Sequence, residues 1–402
     1  MDGVTKLGKV RLRNEEEQQA RNLRKMFLAM AEDVRVIIIK LCDRLHNMQT
    51  IGFLPRNKQR GIATETLEIY VPLAHRLGMG EIRIQLEDLC LKCLHPQIYR
   101  SIENEIERNL PQRKIKIRNL VKLMEKKIAR EKIEARVLGR SKHLYSIYRN
   151  VYVQRKEERV ADVLDSLGLR IIVSDIATCY QVLGLVHRVW IPIIGRFKDY
   201  IAIPKSNGYQ SLHTGVITED GAKVEIQIRT EEMDFLAEYG MAAHWRYKGS
   251  QMGFDKKVED RMSWIQQLLD WQEDFRTAKE FVESLKLDLF EDQIFVFTPK
   301  GDVKDLPKDA TPVDFAYKVH SEVGLHCIGA KVNSRMVPLN YKLKNGDIVE
   351  IITSKKQTKP SRNWLEFVKT SDAKQKIRAW FKKQNYEENV ASGRRLVQQH
   401  LN

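Results

Sequence analysis

Polar side chains that could do chemistry are concentrated between residues 196 and 230. In the stretch 223–230, polar and apolar residues alternate, and the polar ones are Lys223, Glu225, Gln227 and Arg229. Because successive side chains of a strand point to opposite faces, these four would share one face while the β-branched residues between them face a core. A charged Glu225 in the middle of a strand needs a partner, so the pattern predicts a binding site built on a sheet.

Further carboxylates flank a second β-branched run, Leu169–Val173, and they are Asp162, Asp165 and Asp175. Carboxylate oxygens suit Mg²⁺, which usually takes one or two of them and leaves its other positions to water and substrate phosphates. We expect Asp165 and Glu225 to hold Mg²⁺ if their two strands pair.

Basic residues surround these carboxylates in the sequence, namely Arg140, Lys142, Arg170, Arg196, Lys198, Lys205 and Arg229. Such side chains offer phosphates charge-assisted hydrogen bonds, and a guanidinium plane can stack on a base. Tyr209 follows the turn-forming pair Asn207–Gly208, which would present its ring at a loop tip for stacking on a purine. Metal ligands, cations and this ring together predict a nucleotide site. The alternative for Tyr209 is that it closes a hydrophobic patch.

The scaffold that must position these residues is predicted to be α+β and multidomain. Residues 14–135 carry apolar residues at three- and four-residue spacing, which is typical of helices. Between about 133 and 250, short β-branched runs alternate with the helical segments 178–190 and 231–247, as in a mixed α/β domain. Residues 255–288 again favour helices. The stretch 293–352 shows strand patterns around one helix at 312–323 and an Asn345–Gly346 turn, which predicts a small β-grasp module.

The composition favours a non-exported protein that binds polyanions. The chain of 402 residues has a formal net charge of +16, which predicts attraction to nucleotides or nucleic acid. The segment from Arg113 to Lys142 contains twelve basic residues and three acidic ones, which predicts either a basic binding surface or a solvated helix face. Five scattered cysteines fit reduced thiols. Without a long apolar run or a signal peptide, we expect a cytoplasmic protein with no membrane partner.

Two groups in the helical region could bind a ligand. Cys90, Cys93 and His95 are close together but lack a second ligand pair, and their helical pattern favours ordinary packing over zinc binding. Asp43 and Asn47 are four residues apart, so they share one helix face and could meet a common ligand. The alternative is a buried polar pair within helix packing.

The order of these motifs resembles the RelA/SpoT homologue family, whose members make and in some cases degrade guanosine 3′-diphosphate alarmones. Asp43-Arg-Leu-His-Asn47-Met resembles the last motif of the family's HD-type hydrolase domain, and residues 139–230 resemble its nucleotidyltransferase-like synthetase domain. Residues 291–354 resemble its TGS domain. The resemblance implies a partial HD domain at 1–95, a helical linker at 96–132, a synthetase at 133–250, a helical connector at 251–290, a TGS domain at 291–354 and the start of a helical regulatory region at 355–402.

The resemblance implies a GTP/GDP pyrophosphokinase of the stringent response, which transfers pyrophosphate from ATP to the 3′-hydroxyl of GDP or GTP and releases AMP. Asp165 and Glu225 would hold Mg²⁺, and Glu225 would accept the proton of the attacking hydroxyl. The implied ATP-binding residues are Arg140, Lys142, Ser146 and Arg170. The implied GDP- or GTP-binding residues are Lys198, Lys205, Asn207, Tyr209 and His213. Such a transfer depends on positioning, metal and positive charge, all of which the sequence supplies.

The sequence also departs from the family pattern. The family's hydrolase, with its Mn²⁺ site, needs an upstream histidine and a His-Asp pair, whereas no histidine here is followed by aspartate and only Asp43, with Asn47 beside it, is left. We therefore expect hydrolysis to be absent, the HD domain to be truncated at its N-terminus and the C-terminal regulatory domains to be missing. In the TGS unit, Leu325 occupies the position of a tRNA-contacting histidine, with His326 one residue later. The competing hypotheses are a ribosome- or tRNA-binding regulatory protein with little catalysis and, weakened by the missing ligands, a phosphohydrolase.

Overall fold

The computed structural model describes residues 33, 35–140, 142–154, 160, 167–205, 207–240, 293–356 and 359–384. The chain divides into two compact units, Met1–Lys279 and Glu280–Asn402. The predicted helix at 255–288 and the end of the predicted helix 231–247 lie outside the described residues, as does Asp165. The sequence-based domain boundaries stay a prediction.

The first unit begins with helices, as the apolar spacing predicts. They are α1 (Arg35–Gln49), α2 (Arg56–Glu65), α3 (Val71–Arg76), α4 (Gly80–Leu94) and α5 (Pro96–Arg130). In α1, the buried residues Ile37, Leu41 and Met48 follow the helical repeat. After α3, Gly78 has a φ of 72°, a conformation that glycine adopts without strain, and this turn reverses the chain into α4.

A mixed sheet follows the helices. Its strands are β1 (Ala135–Arg140), β2 (Leu167–Val173), β3 (Ile191–Pro192), β4 (Lys198–Asp199), β5 (Leu212–Ile217) and β6 (Lys223–Thr230). The strand order is β1-β2-β6-β5-β3, and β4 also pairs with β5. The β2–β6 pair is parallel, and the other strand pairs are antiparallel. The two strands that carry the predicted site are therefore direct neighbours.

Among the described residues, the helices that accompany this sheet are α6 (Leu144–Tyr148), α7 (Ile176–Val189) and α8 (Glu231–Tyr239). Asp175 caps α7 by accepting a hydrogen bond of 2.9 Å from the backbone N–H of Thr178, which lowers the pKa of the carboxyl to about 2. Its carboxylate therefore serves as a helix cap. The core joins apolar residues of β2, β5, β6 and α7.

The second unit contains two small sheets around a helical segment. Its elements are β7 (Gln293–Phe297), β8 (Val303–Pro307), α9 (Pro312–Val319), α10 (Ser321–Leu325), β9 (Cys327–Val332), β10 (Arg335–Val337), β11 (Val349–Thr353) and α11 (Trp364–Phe367), and residues 371–384 are also helical. β7 pairs with β8, and β10-β9-β11 form the other sheet. Gly346, with a φ of 91°, lies in the turn before β11, where the Asn345–Gly346 signal predicted it.

The continuous helix predicted at 312–323 was wrong. The helix ends at Val319, and His320 has an extended backbone with φ of −166° and ψ of 146°. Its Nδ1 accepts a hydrogen bond of 3.2 Å from the backbone N–H of Glu322, so His320 starts a new short helix. The predicted fold class, a helical region, a mixed α/β domain and a small β-rich module, is confirmed. None of the described helices combines the length and the hydrophobicity needed to cross a bilayer.

Candidate functional site

A cavity of about 510 Å³ lies in the first unit against one face of the sheet. It brings together six of the residues predicted from sequence to bind nucleotides: Arg140, Arg170, Lys205, Asn207, Tyr209 and His213. Gln227 and Arg229, from the polar strand face predicted to form a binding site, also line it, whereas His75, Arg83 and Glu238 were missed by sequence reasoning. Glu225, Lys142, Ser146 and Lys198 are outside this lining, although Lys198 is paired with His213 between β4 and β5.

The alternating strand predicted at 223–230 is present as β6, with Val224, Ile226 and Ile228 in the core. Its polar face becomes more buried along the chain, because the Glu225 side chain is 38% exposed whereas Arg229 is only 2% exposed. Glu225 therefore remains accessible to a ligand, while Arg229 lines the cavity as an almost fully buried side chain.

Two glycines, each in close contact with an arginine, flank Glu225 on the neighbouring strands. Gly168 of β2 and Gly215 of β5 are its direct partners on the neighbouring strands. A Cβ on Gly168 would lie 2.7 Å from the carbonyl oxygen of Arg140, and one on Gly215 would lie 3.0 Å from the Cβ of Arg196. Since neither neighbour has a side chain, nothing on the adjacent strand positions covers the carboxylate.

The Glu225 carboxylate faces positive and polar groups. Its Oε1 lies 4.0 Å from Nη1 of Arg140 and 3.8 Å from Nδ1 of His213. The part of the chain that the structure describes contains no group of three or more His, Cys, Asp or Glu side chains able to hold a metal. A partly exposed carboxylate beside basic side chains nevertheless fits Mg²⁺, because this ion binds through one or two carboxylates and substrate phosphates. The pairing of Glu225 with Asp165 stays a prediction.

Tyr209 lies in the cavity rather than at a loop tip. The turn before it depends on Gly208, which has a φ of 77° and donates a backbone hydrogen bond of 2.7 Å to the carbonyl of Lys205. The Tyr209 hydroxyl forms a hydrogen bond of 2.8 Å with Nε2 of His213, and its ring packs edge-on against Tyr200. The ring is therefore held in a fixed position at the cavity wall.

His213 is electrically neutral in the folded protein. Burial is the main cause that lowers its pKa, and the positive charges of Lys205, Arg140, Arg229 and Lys198 lower it further, to about 3. His75, on the other side of the cavity, has its pKa lowered to about 4 by burial and by nearby positive charges. Burial, assisted by the surrounding positive charges, thus keeps both imidazoles uncharged and able to accept as well as donate hydrogen bonds.

The two arginines predicted to contact adenine are close neighbours on adjacent strands. In the β1–β2 register Arg140 is opposite Gly168 and Leu138 is opposite Arg170, so the arginines are diagonal neighbours on the same face. Arg170 is also ion-paired, with its Nη1 2.7 Å from Oε1 of Glu238 and 3.2 Å from Oδ1 of Asp234. Sequence reasoning missed both carboxylates, whose four-residue spacing on α8 was the available signal.

The helical region contributes to the site as well. Asn207 donates a side-chain hydrogen bond of 2.9 Å to the carbonyl oxygen of His75. A Cβ on Gly80 would lie 2.5 Å from the carbonyl oxygen of Ala237, so the turn before α4 packs directly on α8. Part of the cavity wall therefore comes from the helices that precede the sheet.

The predicted hydrolase remnant lies on α1. Asn47 donates a hydrogen bond of 3.3 Å to Oδ1 of Asp43, and Lys40 donates one of 2.9 Å to Oδ2. Burial opposes ionisation of Asp43, but Lys40 and Arg44 outweigh it and lower the pKa of the carboxyl. Asp43 and Asn47 are exposed, so they are not the buried packing pair of the alternative interpretation. Cys90, by contrast, is buried in α4, and burial raises the pKa of its thiol to about 12.

Comparison with known proteins identifies the class to which this site belongs. Residues 139–252 match the family model described as a region found in RelA / SpoT proteins, residues 294–353 match the TGS domain, and residues 1–80 match an HD domain. The chain belongs to the RelA/SpoT family.

Three relatives illustrate the family. The chain is 48% identical to a GTP pyrophosphokinase of Myxococcus xanthus, covering 100% of this chain and 53% of the relative. It is 48% identical to a probable guanosine-3′,5′-bis(diphosphate) 3′-pyrophosphohydrolase of Synechocystis, over 100% of this chain and 53% of the relative. It is 47% identical to the bifunctional (p)ppGpp synthase/hydrolase SpoT of Escherichia coli, over 100% and 57%. The chain thus spans about half the length of the curated relatives it matches.

Proposed function

We propose that this chain is an alarmone synthetase that transfers pyrophosphate from ATP to the 3′-hydroxyl of GDP or GTP and releases AMP. The observation that carries the proposal is an accessible Glu225 between two glycines, beside a basic cavity with an ordered tyrosine. The full-chain similarity to GTP pyrophosphokinases supports the same reaction.

The cavity offers separate sides for two nucleotides. On the ATP side, Arg140 and Arg170 lie diagonally on adjacent strands and would contact adenine. Lys142 and Ser146 would then meet the ATP phosphates from outside the cavity lining. On the guanine side, Tyr209 would stack on the base, and the remaining predicted contacts would come from Lys198, Lys205, Asn207 and His213. The positive charge around both would offset the charge of the phosphates.

Glu225 would act on the attacking hydroxyl. An accessible carboxylate beside the cavity-lining Arg140 and His213 can accept the proton of the 3′-hydroxyl as its oxygen attacks the β-phosphorus of ATP. Mg²⁺, held by Glu225 and Asp165, would neutralise phosphate charge and help to align the reacting groups. Neutral His213 would hold the Tyr209 ring in place through its hydrogen bond.

The test is an assay of the purified chain with ATP, Mg²⁺ and GDP or GTP, followed by detection of AMP and of a 3′-pyrophosphorylated guanosine nucleotide. Glu225→Gln should lose about 10²- to 10³-fold of the rate, as removal of a key electrostatic group does. Glu219→Gln is the matched control, because Glu219 is exposed in the turn between β5 and β6. Equal rates for wild type and Glu225→Gln would refute the assigned role.

We also propose that this chain does not hydrolyse the alarmone. No histidine of the sequence is followed by aspartate, and Asp43 offers a single exposed carboxylate on α1. Incubation of the chain with the alarmone and Mn²⁺ should leave the 3′-pyrophosphate in place. Release of pyrophosphate that is lost in Asp43→Asn would contradict this proposal.

Nucleic-acid binding is a second candidate function, supported by the outer surface of α5. Basic residues exposed on this helix are Lys114, Lys116, Arg118, Lys122, Lys126 and Arg130. Residues 294–353 match the TGS domain, and the family resemblance implies contacts of this domain with tRNA or the ribosome. RNA is therefore the favoured polyanion. This function would be favoured over the synthetase if the wild type transfers no pyrophosphate but binds tRNA. The tRNA binding should weaken steeply with salt and persist in Glu225→Gln.

A further inference from the structure

A cluster of four charged side chains lies at the wall of the cavity. Arg170 comes from β2, Arg229 from β6, and Asp234 and Glu238 from α8. A single oxygen of Asp234, Oδ1, lies 3.2 Å from Nη1 of Arg170 and 2.5 Å from Nη2 of Arg229. Glu238 contacts Arg170, at 2.7 Å. Asp234 is therefore the carboxylate that the two arginines share.

The position of Asp234 follows from the strand register and from the helix that succeeds β6. Arg170 is opposite Gln227 in the parallel β2–β6 pair, and Arg229 is two residues further along β6, so both arginines occupy the same face. The chain turns into α8 directly after β6, with Thr230 accepting a hydrogen bond of 3.2 Å from the backbone N–H of Met233. This cap places the first turn of α8, and with it Asp234, over the paired strands.

The two neighbouring arginines require a negatively charged partner in the folded protein. Arg229 is 2% exposed, and burial together with the neighbouring charge of Arg170 lowers its pKa, whereas Asp234 raises it. A guanidinium stays protonated even in such surroundings, so a buried arginine requires a partner. Asp234 supplies that partner and also allows the second arginine to lie nearby.

Both arginines have donors left for a ligand. Within the described residues, Nε of Arg170 and Nε and Nη2 of Arg229 are buried and have no hydrogen-bond acceptor, and the contact of Nη2 with Asp234 is an ion pair. Both side chains line the cavity, and the guanidinium carbon of Arg229 lies 6.0 Å from the centre of the Tyr209 ring. Arg170 thus belongs to the side assigned to adenine, and Arg229 stands beside the ring assigned to guanine.

We propose that Asp234 is a positioning residue shared by the two nucleotide subsites, because it fixes Arg170 on the ATP side and Arg229 behind Tyr209 on the guanine side. Glu238 positions Arg170 alone and so serves the ATP side. The inference rests on the proposed synthetase function for the identity of the two nucleotides. Asp234 and Glu238 thus act through the arginines and not through contacts with either base.

The experiment measures equilibrium binding of each nucleotide separately, by calorimetry, with a non-hydrolysable ATP analogue and with GDP in the presence of Mg²⁺. Asp234→Asn, which keeps the side-chain shape, should weaken both affinities by about tenfold or more, because it removes the negative charge that is ion-paired with both arginines. Glu238→Gln should weaken the ATP analogue and leave GDP unchanged. Glu232→Gln, at an exposed position of the same helix, should change neither.

A merely structural role for Asp234 predicts a different pattern, namely a lower melting temperature with both affinities retained. If Asp234→Asn does not fold, the double variant Arg229→Gln/Asp234→Asn removes the unpaired buried charge, and it should still bind both nucleotides weakly. The proposal is overturned if the folded Asp234 variant binds both nucleotides with the affinity of the wild type. It is also overturned if Asp234→Asn weakens binding of the ATP analogue but not of GDP. Nucleotide binding can be measured without turnover. If the wild type binds both nucleotides but transfers no pyrophosphate, the proposed function is refuted, and the affinities of the variants still show whether Asp234 positions both arginines.

Discussion

The hydroxyl of Tyr209 and Nε2 of His213 are 2.8 Å apart, and this hydrogen bond joins the turn at Gly208 to the β5 strand. The Tyr209 ring also lies within 5.2 Å of Nζ of Lys205. The ring assigned to guanine is therefore placed before any nucleotide binds. Such preorganisation reduces the entropy lost on binding.

Two substitutions of Tyr209 test the roles of its ring and of its hydroxyl separately. Tyr209→Ala removes the stacking surface and should raise KM for GDP or GTP by about tenfold or more. Tyr209→Phe keeps the ring, so KM should change far less, while the loss of the bond to His213 should lower stability by about 1 kcal/mol. Steady-state kinetics and urea unfolding of both variants check these outcomes. Equal KM values for the two variants would show that the ring does not stack.

His213 should make the protein less stable in acid. Its folded-state pKa is lowered to about 3 from an ordinary value of 6.5, so between these pH values the unfolded chain binds a proton that the folded chain does not. Stability is therefore lost as the pH falls through this window. The contribution of His213 to the difference in unfolding free energy between pH 7.5 and pH 5 should be about 2 kcal/mol.

His213→Gln tests this pH dependence by urea unfolding at the two pH values. The variant should lose less stability on acidification than the wild type, because glutamine does not titrate. His46→Gln, at an exposed position of α1, controls for replacement of a histidine. The same acid sensitivity in both variants would show that His213 is not held neutral.

Part of this site could be read from the sequence, because local patterns determine it. The alternation in β6 and the Asn207–Gly208 turn depend on neighbouring residues alone, so the strand and the Tyr209 turn were predictable. The sharing of Asp234 by Arg170 and Arg229 depends on strand register and on the direction of α8, which no local pattern encodes. The contact of Asn207 with the carbonyl of His75 joins residues far apart in sequence for the same reason. The break at His320 was missed because the apolar pattern continues through it.

The contact between the helical region and the sheet domain depends on Gly80. A Cβ there would lie 2.5 Å from the backbone carbonyl of Ala237, which cannot move without displacing α8. Gly80→Ala should therefore destabilise the chain by about 1 to 3 kcal/mol, the usual cost of overpacking. Gly61→Ala is the matched control, because nothing lies within 4 Å of its Cβ in α2, and it should stabilise by about 0.5 to 1 kcal/mol. Unfolding curves in which both variants shift in the same direction would contradict the tight packing.

Substitution of Gly168 tests whether the close packing of Arg140 beside Glu225 matters for catalysis. A methyl group at this position would lie 2.7 Å from the carbonyl oxygen and 3.3 Å from the Cβ of Arg140, so β1 must move away from β2. Because Nη1 of Arg140 lies 4.0 Å from Oε1 of Glu225, Gly168→Ala should lower kcat for pyrophosphate transfer by about tenfold to hundredfold, as a small misplacement of reacting groups does. Gly184→Ala adds the same methyl group in α7, where nothing lies within 4 Å, and should keep wild-type activity. If Gly168→Ala is folded and as active as Gly184→Ala, the glycines flanking Glu225 are not required for the reaction.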